Sequence, residues 1–139
     1  MLKRSSTRVG LLRGAGILLL TLGIVHLVAT PHIATLIRRS ASPASADWLL
    51  PPMLLNHILV GVLLIPLGFL TWYAGPHAAS GASWAQVTVR ATALSVATLP
   101  ILLFVLMGKR YYFDAPLFVV GATLTLFIAV TLLAVAFAR

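Results

Sequence analysis

A chain of 139 residues has room for one domain, and this one is 60% hydrophobic and 9% charged, with a mean hydropathy of +1.06. A water-soluble core of that size cannot hide so much apolar surface, so the solvent must be lipid. The formal net charge of +8 does not point to nucleic acid, because the basic residues flank apolar runs and form no basic face interleaved with aromatics. The absence of cysteine excludes disulfides, thiolate nucleophiles and cysteine-ligated zinc or iron–sulfur centres.

Crossing about 30 Å of hydrocarbon at 1.5 Å per residue takes about 20 residues, and four windows meet that length. The first runs from Val9 to Ala29. MLKRSSTRVGLLR ahead of it has the charge of a signal peptide, but no small-x-small cleavage pattern follows, so it reads as a retained span. Next comes the longest connection, Thr30 to Pro52, with PHIATLIRR as a short interfacial helix carrying Ile33, Leu36 and Ile37 on one side, then the loop-like SASPASAD. Pro31 should end the first span, and Pro51 and Pro52 should open the second, Met53 to Gly75, which Gly75 and Pro76 close. Val87 to Met107 and Leu117 to Ala138 complete the set, the last opened by Pro116. Pro66 and Pro100, inside spans two and three, should kink them and leave room between helices.

The predicted fold is all-α: one integral membrane domain, 1–139, forming an antiparallel up-down-up-down four-helix bundle. With the N-terminus inside, the cytoplasmic side collects Lys3, Arg4, Arg8, Arg13, Arg90 and Arg139, against Arg38, Arg39, Lys109 and Arg110 outside, six to four. Both termini are therefore expected to be cytoplasmic, in a bacterial inner membrane.

Polar residues inside the spans carry the functional signal. Gly16, Leu19, Gly23, His26 and Thr30 share one stripe of span one, and His57, Gly61, Leu64, Gly68, Thr71 and Gly75 one stripe of span two. Small residues let helix backbones approach in lipid, so both stripes predict contact faces. Antiparallel pairing puts Gly16 near Gly68, Gly23 near Gly61 and His26 near His57, about one turn in from the outer ends. Hydroxyls on spans three and four, Thr88, Ser95, Thr98 and Thr125, are read as structural, bonded to backbone carbonyls. Gly10 and Gly14 have G-x-x-x-G spacing, but beside Arg13 that spacing reads as chance.

Several chemistries can be weighed for the histidines. Neutral imidazoles near a helix end can be purely structural, each satisfied by one hydrogen bond. A b-type haem would use His26 and His57 as axial ligands, with Arg38, Arg39, Lys109 and Arg110 near its propionates, although close glycine contacts leave little room for a porphyrin. Zinc with Asp114 or His32 as further ligands lacks any familiar spacing, so no metal site is assigned. The reading with fewest assumptions is an outer-side cleft around His26, Asn56 and His57 for a lipid, quinone or similar amphipathic ligand. The connection GKRYYFDAP would roof it through Tyr111, Tyr112 and Asp114. No span contains Asp or Glu, which argues against proton-coupled transport, and no nucleophile, base and acid arrangement or phosphate loop argues for catalysis. The lipid bilayer is the expected partner, with a membrane protein or a second copy of the chain as further candidates and no nucleic acid.

The four-span layout, with RGAGILLLTLGIVHL at 13–27, resembles small bacterial membrane proteins of the DoxX-like type. That resemblance is one of architecture and implies no site and no activity.

Overall fold

The structure, a computed structural model, describes residues 2–106 and 116–138, with side chains over 6–106 and 118–138. It is all-α, with four helices: α1 (Leu2–Ser40), α2 (Pro43–Ala79), α3 (Ser83–Leu106) and α4 (Pro116–Phe137). Each is long and apolar enough to cross a membrane. Large apolar side chains stand exposed on every helix, among them Ile17, Val62, Leu102 and Phe127. In water such a surface would aggregate, whereas in hydrocarbon it is solvated.

The helices form a ring of neighbours. The α1–α2 contact is by far the most extensive, followed by α3–α4, α2–α3 and α1–α4, and among the described residues the diagonal pairs do not bring their backbones within 8 Å between Cα atoms. Leu12, Leu19, Leu64, Val89, Val96, Ile128 and Leu132 fill the interior, interleaved with alanine and with buried Thr71, Thr92 and Thr125. Thr71 and Thr125 each donate to the carbonyl four residues back, at 2.8 Å, so their hydroxyls are satisfied within their own helices. Exposed Thr88 does the same to Trp84, and Thr98 donates to Ser95 O at 2.7 Å.

Helix boundaries differ from those expected. The segment 30–52 is not a connection with a separate interfacial helix: α1 continues through it to Ser40, α2 starts at Pro43, and only Ala41 and Ser42 lie between. Pro31 does not end α1. It removes one backbone bond, but Thr30 and Thr35 hydroxyls donate to His26 O and Pro31 O, both at 3.0 Å, and keep the flanking turns tied. Ser42, in extended conformation, caps α2 by accepting from the Ser45 amide at 3.3 Å, and Pro43 occupies the first turn, where its missing N–H costs nothing. Pro51, Pro52, Pro66 and Pro76 are therefore helix interior, and α2 ends at Ala79 rather than Gly75. Gly81, with φ +95°, makes the tight turn into α3.

At 39 and 37 residues, α1 and α2 are about 58 and 55 Å long, against about 36 and 33 Å for α3 and α4 with 24 and 22 residues. The α1–α2 hairpin thus outreaches the described parts of its neighbours at the Ser40 end, and Ile37 and Ala46 are buried in that extension. At the opposite end an aromatic and basic belt marks one interface. Phe69, Trp72, Tyr73, His77 and Trp84 form a chain of ring contacts, with Arg13 over Trp72 and Arg90 over Phe137, each at 5.7 Å.

Candidate functional site

The site is built on the α1–α2 seam, where glycine brings two backbones into contact. A Cβ placed on Gly16 would lie 2.7 Å from Gly68 O, and one on Gly68 would lie 2.6 Å from the Leu20 amide nitrogen. Two turns along, a Cβ on Gly23 would meet Gly61 O at 2.8 Å. Leu12 closes the series against Gly75 at 3.1 Å. Numbers rise along α1 as they fall along α2, so these two helices run antiparallel in the register expected from their stripes. At the Gly16–Gly68 and Gly23–Gly61 levels no side chain larger than hydrogen fits without moving the neighbouring helix.

That register brings His26 and His57 together. Their rings stack at 4.8 Å between centroids and 30° between planes. Both residues are half-buried. His26 Nδ1 donates to Leu22 O at 2.9 Å, and since a carbonyl only accepts, the proton sits on Nδ1 and His26 Nε2 is left with its lone pair when the ring is neutral. His57 Nε2 is buried and has no hydrogen-bond partner among the described residues. Buried ring nitrogens are normally satisfied, so this atom is the unexplained polar group of the seam.

Asn56 does not join them. It precedes His57 by about 100° of helix rotation and is exposed, with no hydrogen bond to any described residue. Tyr111, Tyr112 and Asp114, expected to roof the cleft, and Lys109 and Arg110 beside them lie outside the described residues. With α1 running to Ser40 and α2 starting at Pro43, each histidine is about 21 Å from its helix end.

Apolar grooves flank the bundle. One, of about 180 Å³, lies between α2 and α3 and is lined by Val60, Leu63, Leu64, Leu67, Ser95, Val96 and Leu99. Val60 and Leu64 follow His57 at three and seven residues along α2, so this groove starts about one turn along the helix from His57. Pro66 on α2 and buried Pro100 on α3 sit beside its walls. Sequence reading gave the prolines a spacing role but named none of the aliphatic walls, because such residues are indistinguishable from lipid-facing ones before helix neighbours are known. Another groove, of about 130 Å³ between α1 and α4, includes Gly10, Gly14 and Phe127 and is remote from the histidines.

A haem does not fit this geometry. Bis-histidine ligation points two ring nitrogens at one iron through a porphyrin that separates the rings. Here the imidazoles stack face to face, and the glycine contacts close the gap a macrocycle would need. Among the described residues no three His, Asp or Glu side chains group as metal ligands. Comparison with protein-family models, curated proteins and solved structures returns no match. The DoxX-like resemblance of the first helix therefore transfers nothing to the site.

Proposed function

We propose that the protein is a non-catalytic binding or accessory module of a bacterial inner membrane. It would take an amphipathic molecule, a lipid or quinone, on the outer half of an up-down-up-down bundle whose termini are both cytoplasmic. The observation that carries this reading is the buried Nε2 of His57, without a hydrogen-bond partner among the described residues, on a helix that lines an apolar groove about one turn further along. An acyl or isoprenoid tail suits the aliphatic α2–α3 groove, and a carbonyl or hydroxyl at its polar end would complete the hydrogen bonding of His57. His26, held by Leu22 O, braces the second ring against reorientation.

Replacement of His57 by leucine tests it. Protein purified in mild detergent and analysed by native mass spectrometry should carry a bound amphipathic molecule that the variant loses while keeping its helix content. Retention by the variant would make the histidines packing groups, whose removal changes stability by only about 1 kcal/mol. A Soret band in the wild-type spectrum would instead restore the haem alternative with His26 and His57 as axial ligands, against the stacked geometry.

A further inference from the structure

The groove between α1 and α4 lies about 24 Å along α1 from His26 and ends beside a cation. Gly10, Leu11, Gly14 and Ala15 line one side of its 130 Å³, with Phe127 and Thr131 among the residues opposite. A Cβ added to Gly10 or Gly14 would meet no atom within 4 Å, so these glycines leave space open instead of closing it against a helix. Arg8 precedes Leu11 and Ala15 by three and seven positions on α1. It is half-buried, and its Nε is shut from solvent without a hydrogen-bond partner among the described residues. Helical side chains lean toward the N-terminus, and Arg8 is already about 7.5 Å beyond Arg13 of the aromatic and basic belt, so its guanidinium stands at headgroup depth. Of the ten Lys and Arg, Lys3, Arg4, Arg8, Arg13, Arg90 and Arg139 belong to or adjoin this end of the helices. Neither acidic side chain does, since Asp47 is near the start of α2 and Asp114 just precedes α4, at the far ends of those helices. A carboxylate on Arg139 would offset one of the six. Arg13 lies over Trp72, and Arg90 bonds to Ala136 O and lies over Phe137, which leaves Arg8 as the described cation beside the groove.

We propose that this groove binds an anionic phospholipid, with an acyl chain against Gly10 and Gly14 and the phosphate on Arg8. Charge and shape together select the occupant. Apart from the Thr131 hydroxyl the side chains of the groove are apolar, which suits hydrocarbon. At its mouth a guanidinium offers a planar fork of donors, and the two free oxygens of a phosphodiester accept them in parallel. Excess positive charge attracts anionic lipid anywhere along a membrane surface, and the groove confines that attraction to one position. A second copy of the chain is the competing occupant, because Gly10 and Gly14 have the spacing of a helix-dimer seam. Twofold contact there would set the basic N-terminal segment of α1 against its own counterpart, with no acidic side chain at this end to offset the repulsion.

The full chain, delipidated in a non-ionic detergent, is titrated with dioleoyl phosphatidylglycerol or dioleoyl phosphatidylcholine, which share acyl chains and differ in charge, and bound lipid is counted by native mass spectrometry. The first phosphatidylglycerol should bind about tenfold more tightly than the first phosphatidylcholine, and Arg8→Gln should remove that preference. Arg13→Gln lowers the net charge equally, but its side chain lies over Trp72, so the preference should persist. Gly14→Leu fills open space and should weaken binding of both lipids with helix content unchanged. Equal affinity of the wild type for the two lipids, equal loss in Arg8→Gln and Arg13→Gln, or unchanged binding in Gly14→Leu would overturn the proposal. The second result would mean that net charge alone gathers lipid, and the third that only the headgroup adheres. A wild-type dimer in lipid-free detergent that Gly14→Leu abolishes would also overturn it, giving the groove to a second copy. His57→Leu should keep the preference, so this site and the histidine reading fail separately.

Discussion

Glycine does two different jobs in this chain, and the atoms around each one separate them. Gly16, Gly23, Gly61 and Gly68 sit where an added Cβ would strike backbone or side-chain atoms of the neighbouring helix at 3.0 Å or less. Gly10, Gly14 and Gly121 have nothing within 4 Å. Gly16→Ala or Gly68→Ala must therefore push α1 from α2, and we expect a loss of about 2 kcal/mol or more in a detergent unfolding titration. Gly10→Ala and Gly121→Ala meet no atoms and should fall within about 1 kcal/mol of wild type, on the stabilising side, because alanine is the better helix former. Comparable losses at both kinds of position would mean that the seam is not closed by backbone contact. The pairing of Gly16 with Gly68, Gly23 with Gly61 and His26 with His57 was legible in the sequence, since a small-residue stripe at helical spacing has one antiparallel register that aligns every level. That His57 Nε2 lacks a partner among the described residues was not legible, because it depends on which way an imidazole turns. The outward position of Asn56 follows from helix geometry alone, yet adjacency in sequence drew it into the histidine site.

At the scale of the helix, proline was the misleading signal. Read alone, Pro31, Pro51 and Pro52 are boundaries, because each removes a backbone donor. In the fold α1 and α2 run through them, with threonine hydroxyls beside Pro31 and a capped start for α2 more than two turns upstream of Pro51. Ser42 is the residue that sets this boundary. Ser42→Ala removes the acceptor for the Ser45 amide, so the first turn of α2 should fray, at about 1 kcal/mol, seen as faster amide hydrogen exchange at 44–46 with the rest of α2 unchanged. Slow exchange in the variant would show that Pro43 alone is enough to start the helix. At the other end Arg90 donates through Nε to Ala136 O at 3.4 Å and lies over Phe137, tying the start of α3 to the last carbonyls of α4. The sequence explained Arg90 only as an interfacial cation, since its partner is 46 residues away.

For the whole molecule, four apolar helices and their approximate spans were readable from hydropathy, and the ring of neighbours agrees with short connections between consecutive helices. Direction across the bilayer rests on a six-to-four distribution of Lys and Arg. It can be tested with single cysteines in a chain that has none: Ser6→Cys and Ser80→Cys should react with an impermeant maleimide only in inside-out vesicles, and Ser40→Cys only in right-side-out cells. Labelling of all three from one side would overturn the alternating arrangement. Everything proposed for the histidine site depends on the closure of α1 against α2 within the bilayer, and the two imidazoles report that closure directly. The chain has four histidines, and His26 and His57 alone make a ring contact with one another. Carbon–carbon correlation by solid-state NMR on histidine-labelled protein in lipid bilayers should show one inter-residue ring cross-peak, lost in His57→Leu, in keeping with the 4.8 Å separation. A spectrum in which the four rings are mutually isolated would contradict the seam, and with it the site.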